Sequence, residues 1–296
     1  MTSSALHNQS VEDTVSKSEF AFVQELAADL SGGKLELPSF PEVALRVRKA
    51  LANDDVMIEQ VVKILSAEPA LAARLLQLAN SAALSPGGRR VTDLRAAMAR
   101  IGFNMARSAT IAFAMSQLRR AQSFKDLEQP FAELWESSTR IAAVSYVLAR
   151  RFTELNPDTA MLAGLLQSVG RLYILSKTPR FPELLGDPSS LHRLMASWHA
   201  SIARAVLENW EMADDVVAAV AEHEDSDRER GELPTLTDIL ALARIIEALP
   251  GDPISLELGL HDSIDAQRLQ VTPAACAAVM AESAEQIDSL RRALGD

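Results

Sequence analysis

The stretch that decides the fold is LPSFPEVALRVRKALANDDVMIEQVVKILSAEPALAARLLQLAN, residues 37–80. Its apolar residues do not alternate; they return at three- and four-residue steps, the period of an α-helix. Val43, Val47, Ala50 and Leu51 share one face, Ile58, Val61, Val62 and Leu65 a second, and Leu71, Leu75, Leu78 and Ala79 a third. The punctuation between them is chemical. Leu37-Pro38 and Phe40-Pro41 are extended steps, because proline pushes the residue before it out of the helical region. Asn53-Asp54-Asp55 offers turn and N-cap chemistry. Pro69 falls near the first position of the third helix, where a missing N–H costs little.

Downstream, Ser85-Pro86-Gly87-Gly88 reads as a turn and Thr92 as the cap of a helix reaching Ala99. Gly102 is expected to break it, and a longer helix to run from Asn104 to Leu118. Residues 35–121 therefore form a five-helix subdomain. The polar run Gln122–Gln129 before Pro130 marks a soft boundary. Helices are then predicted at Phe131–Phe152, Pro157–Leu166, Leu172–Ser176 after a break at Gly170, Ser197–Trp210, Ala213–His223 and Thr235–Leu249. Pro179, Pro182 and Pro188 punctuate a loop region, and Glu222–Glu232 reads as a charged, mobile loop. Residues 250–272 read as irregular and Pro273–Leu294 as a last helix, within an extension spanning 250–296.

Upstream, 1–18 reads as a disordered tail and 19–34 as an amphipathic helix carrying Phe20, Val23, Leu26, Ala27 and Leu30, stopped by Ser31-Gly32-Gly33. That helix can pack on the body or meet a partner, and packing is the default. No internal repeat is visible. The fold class is all-α: subdomain 35–121 packed on subdomain 130–249 as one unit, since the boundary is short and not rich in Gly and Ser.

Composition narrows the function. At 296 residues and 48% hydrophobic, the chain can bury a sizeable core. It holds no long apolar run, so no membrane span is expected, and Met1–Lys17 lacks the apolar stretch of a secretory leader. One cysteine, Cys276, cannot form an internal disulfide, which suits a cytoplasmic location. Within AACAAVM it reads as a small buried hydrophobe rather than a nucleophile. The net charge of −11 disfavours nucleic acid and favours partners with basic faces.

Two sets of motifs carry a family likeness. The first is LPSFPEVALRVRKAL, VVKILSAEPALAARLLQLANSAAL and RRVTDLRAAMARIGFNMARSATIAFAM; the second is LWESSTRIAAVSYVLARRF, AMLAGLLQSVGRLYIL, WHASIARAVLENWEMADDVVAAVAEHED and LTDILALARII. In order and spacing, residues 35–249 resemble the HDOD domain, a relative of the HD phosphohydrolases described as lacking their chemistry. The resemblance implies an HD-type second subdomain and a role in bacterial signal transduction, beside cyclic-dinucleotide or two-component components.

The HD hydrolases hold a divalent cation with a His, a His-Asp pair and a later Asp, and that cation makes hydroxide from water. By motif register these positions are Ser137 (Trp135-Glu136-Ser137-Ser138), Gln167-Ser168 (Gly164-Leu165-Leu166-Gln167-Ser168-Val169-Gly170) and Arg244 (Ala243-Arg244). A hydroxyl and an amide are poor ligands, and a guanidinium is a permanent cation. The site is then expected either to be packed shut or, through Arg244, to hold an anion. Asp238, six residues earlier, faces another way on a straight helix.

His199 and His223 align with histidines that relatives carry near the site, but without supporting carboxylates they read as surface or satisfied core residues. His223-Glu224-Asp225-Ser226-Asp227 matches neither H-E-x-x-H nor a calcium loop and reads as solvated. Arg89, Arg90, Arg95, Arg100 and Arg107 make a basic group that either contacts an acidic partner or is a solvated face with local ion pairs. With no phosphate loop and no nucleophile elbow, no cofactor is expected. The expectation is a non-enzymatic signalling regulator acting through protein contacts. A divergent phosphohydrolase and a ligand-sensing or nucleic-acid-binding regulator are the alternatives.

Overall fold

A computed structural model describes residues 2–32, 35, 42–51, 56–81, 83–85, 88–119, 127–249 and 252–295. The extended steps at 37–41, the Asn53-Asp54-Asp55 turn, Pro86-Gly87 and most of the 122–129 boundary lie outside the described residues. Among those residues the secondary structure is helical, without strands. The all-α expectation holds.

The first subdomain contains α2 (Glu42–Leu51), α3 (Ile58–Leu65), α4 (Pro69–Ala79) and α5 (Leu94–Arg119). Gly102 breaks α5 as expected: its φ of 73° and ψ of 174° turn the chain between two helical runs. The cap of α5 is Asp93, not Thr92, since the Ala96 N–H donates to Asp93 Oδ1 at 2.8 Å. The three stripes read from the sequence meet in the core, where Val47, Val61, Leu65, Leu71, Leu75 and Leu78 are fully buried.

The second subdomain is built on α6 (Glu128–Phe152), α7 (Pro157–Leu166), α8 (Val169–Lys177), α9 (Pro182–Leu185), α10 (Pro188–Asn209), α11 (Asp214–Glu222) and α12 (Leu236–Ala248). Two glycines set its tightest crossings. A Cβ on Gly164 would overlap the Ala142 backbone of α6, and one on Gly170 would overlap the His199 carbonyl of α10. Gly170 therefore lies inside α8 and does not break it as expected; the break falls at Gln167 and Ser168. α10 starts nine residues before the expected Ser197, because Asp187 accepts from the Ser189 and Ser190 N–H groups and Pro188 occupies the first turn.

The two chain ends depart most from expectation. α1 runs Thr2–Gly32, so the tail expected at 1–18 is helical from Thr2. No Gly or Pro interrupts Thr2–Leu30, and extending a formed helix is far easier than starting one. The later half of α1 packs on the second subdomain. Phe22 and Leu26 are fully buried, Phe22 meets Phe181 edge-on at 5.1 Å, Tyr173 Oη donates to Asp29 Oδ2 at 2.8 Å, and Lys177 pairs with the same carboxylate at 2.8 Å.

At the other end, the segment 250–272, expected to be irregular, forms α13 (Pro253–His261) and α14 (Ile264–Arg268), capped by Asp252 and Ser263. The single helix expected at 273–294 is two, α15 (Pro273–Glu282) and α16 (Ala284–Gly295), divided at the buried Ser283. The division lets α16 lie against α6 and also reach α4 and α5. There Trp135 Nε1 donates to the Gly295 carbonyl at 3.2 Å and Gln286 Nε2 to the Ala83 carbonyl at 3.4 Å. α16 thus touches both subdomains. Among the described residues no helix is long and apolar enough to cross a membrane.

The α8–α10 crossing is open to test. Gly170→Ala is expected to lower unfolding stability by about 1–3 kcal/mol, because backbone must move to admit a methyl group. Gly231→Ala, where a Cβ meets nothing within 4 Å, is expected to change it by no more than about 0.5 kcal/mol. Urea titration of both variants measures the difference.

Candidate functional site

The α6–α7 crossing made by Gly164 brings the end of α7 beside the middle of α6. There Gln167 and Ser168 are buried, and their partner is Ser138. Ser138 Oγ donates to the Leu134 carbonyl at 2.8 Å, which uses its one proton. Ser168 Oγ, 2.6 Å away, must then donate to Ser138, and Gln167 Nε2 donates to the same oxygen at 3.3 Å. Three of the polar groups in this corner satisfy one another. Ser137, the position that motif register had singled out, is turned about 100° around α6 from Ser138 and makes none of these bonds.

A second group gathers around Glu224, at the end of α11. Its carboxylate takes Arg171 NH2 at 2.7 and 2.8 Å and His199 Nε2 at 3.1 Å, and it is paired with Arg244 NH1. His223 Nε2 lies 3.5 Å from Glu224 and 3.4 Å from Arg244 NH1. Each member is placed by a different element. Arg171 is in the first turn of α8, three residues after Ser168. His199 is on α10 where Gly170 draws it in, His223 and Glu224 directly follow α11, and Arg244 is on α12.

The electrostatics follow from this geometry. Burial pushes the Glu224 carboxyl up, but the His199 hydrogen bond and the Arg171 and Arg244 charges outweigh it and hold the group well below the usual carboxylate range. His223 is brought down to about 3, by burial first and then by the Arg244 charge, against the pull of Glu224. Its Nδ1 lies 2.9 Å from the Val220 carbonyl and so carries the proton, which leaves Nε2 as a bare acceptor facing Arg244. The result is a carboxylate between two guanidinium groups, with a neutral imidazole closing one side.

Two sequence expectations meet the structure here. Of the surface and core alternatives, His199 and His223 take the core: both are buried, with Glu224 3.1 Å from His199 Nε2 and the Val220 carbonyl 2.9 Å from His223 Nδ1. The run His223–Asp227 is not uniformly solvated, since His223 and Glu224 turn inward while Asp225, Ser226 and Asp227 are exposed. Glu224 and Arg171 were missed because a search for metal ligands looks for His and Asp at fixed positions. The available signal was Arg171 directly after the Q-S-V-G motif and Glu224 directly after an aligned histidine.

The loop beyond Glu224, expected to be mobile, is held by a second ionic group. Arg228, with a side chain only 5% exposed, pairs with Asp238 at 3.2 Å and with Asp265. Arg268 Nε pairs with Asp238 at 3.2 Å, and its NH groups donate to the Gly231 and Leu233 carbonyls at 2.7 and 2.6 Å. Asp238 also closes the capping box of α12, accepting from the Thr235 N–H at 2.8 Å. It belongs to this loop anchor and takes no part in the Glu224 group.

The remaining predicted residues divide by role. Arg100 donates to the Ala79 carbonyl at 3.1 Å, Ser85 Oγ at 2.9 Å and the Arg89 carbonyl at 2.7 Å, so it clamps backbone and is spent internally. Arg107 donates to the Leu51 carbonyl at 2.7 Å and is likewise structural. Arg95 pairs with Glu59 at 2.6 Å. Arg89 and Arg90 are exposed. Arg244 is occupied by Glu224, so an anion arriving there meets a charge already paired. Burial pushes the Cys276 thiol up to about 11, which keeps it protonated at neutral pH.

Fold and site together define an all-helical HD-like domain in which two guanidinium groups hold a carboxylate near a buried cluster of hydroxyl and amide groups. The HDOD domain pattern matches residues 37–226, and the chain belongs to the HDOD domain family. It is 27% identical to a protein of Shewanella amazonensis SB2B named provisionally as a metal-dependent phosphohydrolase. That likeness covers 94% of this chain and 99% of that one, with a TM-score of 0.75. A protein of Marinobacter aquaeolei VT8, named provisionally as a signal transduction protein, shares the fold at 18% identity and a TM-score of 0.60, over 94% of this chain and 66% of that one. An uncharacterized protein of Treponema pallidum (strain Nichols) is 25% identical over 243 residues; the match takes in 77% of this chain and only 45% of that relative's length.

Two measurements test the Glu224 group. Replacing Glu224 by Gln leaves two guanidinium groups facing an amide, and is expected to cost roughly 1.5–3 kcal/mol in chemical denaturation. His223 gives a pH signature. Its folded pKa of about 3 lies below the ordinary 6.5, so between those values the unfolded chain binds a proton that the folded chain refuses. Its contribution is complete above pH 6.5 and is lost as the pH falls toward 3. The His223→Asn variant is therefore expected to lose about 1.4 kcal/mol less stability per pH unit than the parent between roughly pH 4 and 6, measured by denaturant titration across that range.

Proposed function

We propose that this chain is a non-enzymatic regulator in bacterial signal transduction that works in the cytoplasm through protein–protein contacts, beside cyclic-dinucleotide or two-component components. One observation supports the reading: Arg171 and Arg244 bracket Glu224, and Arg244 is a position that the HD resemblance assigns to a metal ligand. Two fixed positive charges in a partly desolvated site oppose a third, doubly charged one at short range. The carboxylate that could have served as a ligand is consumed by them. Ser138, Gln167 and Ser168 are hydrogen-bonded to one another and offer no anionic donor. The donor set does not fit a divalent cation, and no hydrolytic step is derived through one.

The HDOD family supports a regulatory role. The signalling context rests on family association. A divergent phosphohydrolase is the competing reading, favoured by the name given to the Shewanella relative. The two separate cleanly. The purified chain, incubated with excess Mn2+ and then desalted, is expected to retain no stoichiometric metal by mass spectrometry and to leave bis-p-nitrophenyl phosphate and cyclic dinucleotides intact. Retained metal with turnover that disappears in His199→Ala would reverse the proposal.

A further inference from the structure

Charge is unevenly divided along the chain. Residues 35–121 contain twelve Lys and Arg against seven Asp and Glu, while the rest contains seventeen against thirty-three. An acidic protein thus carries a basic subdomain. Its arginines are not equivalent. Arg100 and Arg107 are spent on backbone carbonyls and Arg95 on Glu59. Arg89 and Arg90 are exposed and form no ion pair among the described residues.

Arg90 lines a cleft of about 790 Å³ between the C-terminal half of α4 and the segment leading into α5, and the exposed Arg89 precedes it in the chain. Leu76 and Val91 give it apolar lining; Gln77, Arg90 and Thr92 give it donors and acceptors; among the described residues no carboxylate lines it. Its wall is fixed in advance. The Asn80 side chain donates to the Val91 carbonyl at 2.8 Å and accepts from the Val91 N–H at 2.8 Å. Arg100 holds the Ser85 hydroxyl and the Arg89 carbonyl from the other side. A segment already ordered gives up little entropy on binding.

We infer that the cleft between α4 and residues 88–92 receives a short acidic segment of a partner protein, with carboxylates on Arg89 and Arg90 and a small apolar side chain over Leu76 and Val91. The inference deepens the protein-contact reading above and rests on it. The partner is a short peptide rather than a nucleic acid for two reasons. A duplex carries a charge about every 1.7 Å and would extend beyond the basic subdomain over the acidic remainder. Among the described residues no aromatic side chain lines the cleft to stack on a base.

The test uses the full chain and a fluorescein-labelled peptide of alternating Glu and Leu, followed by anisotropy at low salt. The parent is expected to bind it and to ignore the Lys-for-Glu peptide and a labelled DNA duplex. Arg89→Glu with Arg90→Glu, both exposed and so neutral for folding, is expected to weaken binding about tenfold or more. Arg46→Glu with Lys49→Glu, elsewhere on the same basic subdomain, is expected to leave it within about twofold. Equal losses from the two pairs would mean diffuse attraction without a cleft and would overturn the inference, as would tighter binding of the duplex or no binding of the peptide. A chain blind to the peptide yet inert toward phosphodiesters removes this surface alone. Phosphodiester hydrolysis removes the reading on which it rests.

Discussion

The Glu224 carboxylate, held between Arg171 and Arg244, is the constraint on which the second subdomain turns. Four elements that are distant in sequence converge on it: α8 through Arg171, α10 through His199, the end of α11 through His223 and α12 through Arg244. The convergence depends on a close backbone approach, since only glycine at 170 lets α8 come near enough to the His199 carbonyl for Arg171 to share a partner with that histidine. Two guanidinium groups and His199 engage the carboxylate, and in the proposed reading that pairing takes it out of use as a cation ligand.

Arginine is used in the same internal way elsewhere. Arg100 gathers the carbonyls and hydroxyl around the end of α4, Arg107 holds the end of α2, and Arg228 and Arg268 pin the loop after α11 to Asp238 and Asp265. The planar fork of donors suits carbonyls and carboxylates that a lysine would reach only one at a time. The C-terminal segment matters for the same reason. Asp265 on α14 completes the loop anchor, and α16 spans from α6 to α4 and α5. The stretch past the HDOD match is therefore part of how the second subdomain is held.

Most of the fold was legible because its signals are local. Apolar residues at helical spacing located α2 to α4, and the Asn156-Pro157 and Thr272-Pro273 pairs marked the starts of α7 and α15. The same cap-then-proline signature, Asp187-Pro188 and Asp252-Pro253, also opens α10 and α13, yet Pro188 reads as loop punctuation and 250–272 as irregular. A proline after a capping residue begins a helix more often than it interrupts one. The candidate site was legible in part. Of the residues that motif register singled out, Gln167, Ser168 and Arg244 make the contacts described above, while Ser137 makes none of them and its neighbour Ser138 does. Arg171 and Glu224 stayed hidden because their significance lies in a contact across 53 residues, which no local pattern encodes.

The central claim is that an internal ion pair occupies the place where a hydrolase of this fold holds its metal. Crystals of the chain grown with excess Mn2+, with data collected at the manganese absorption edge, test it most directly. The account predicts no anomalous peak among Ser138, Gln167, His199 and His223, and a Glu224 carboxylate still resting on Arg171 and Arg244. A peak there, with Glu224 or His223 turned onto the ion and the arginines swung away, would contradict it.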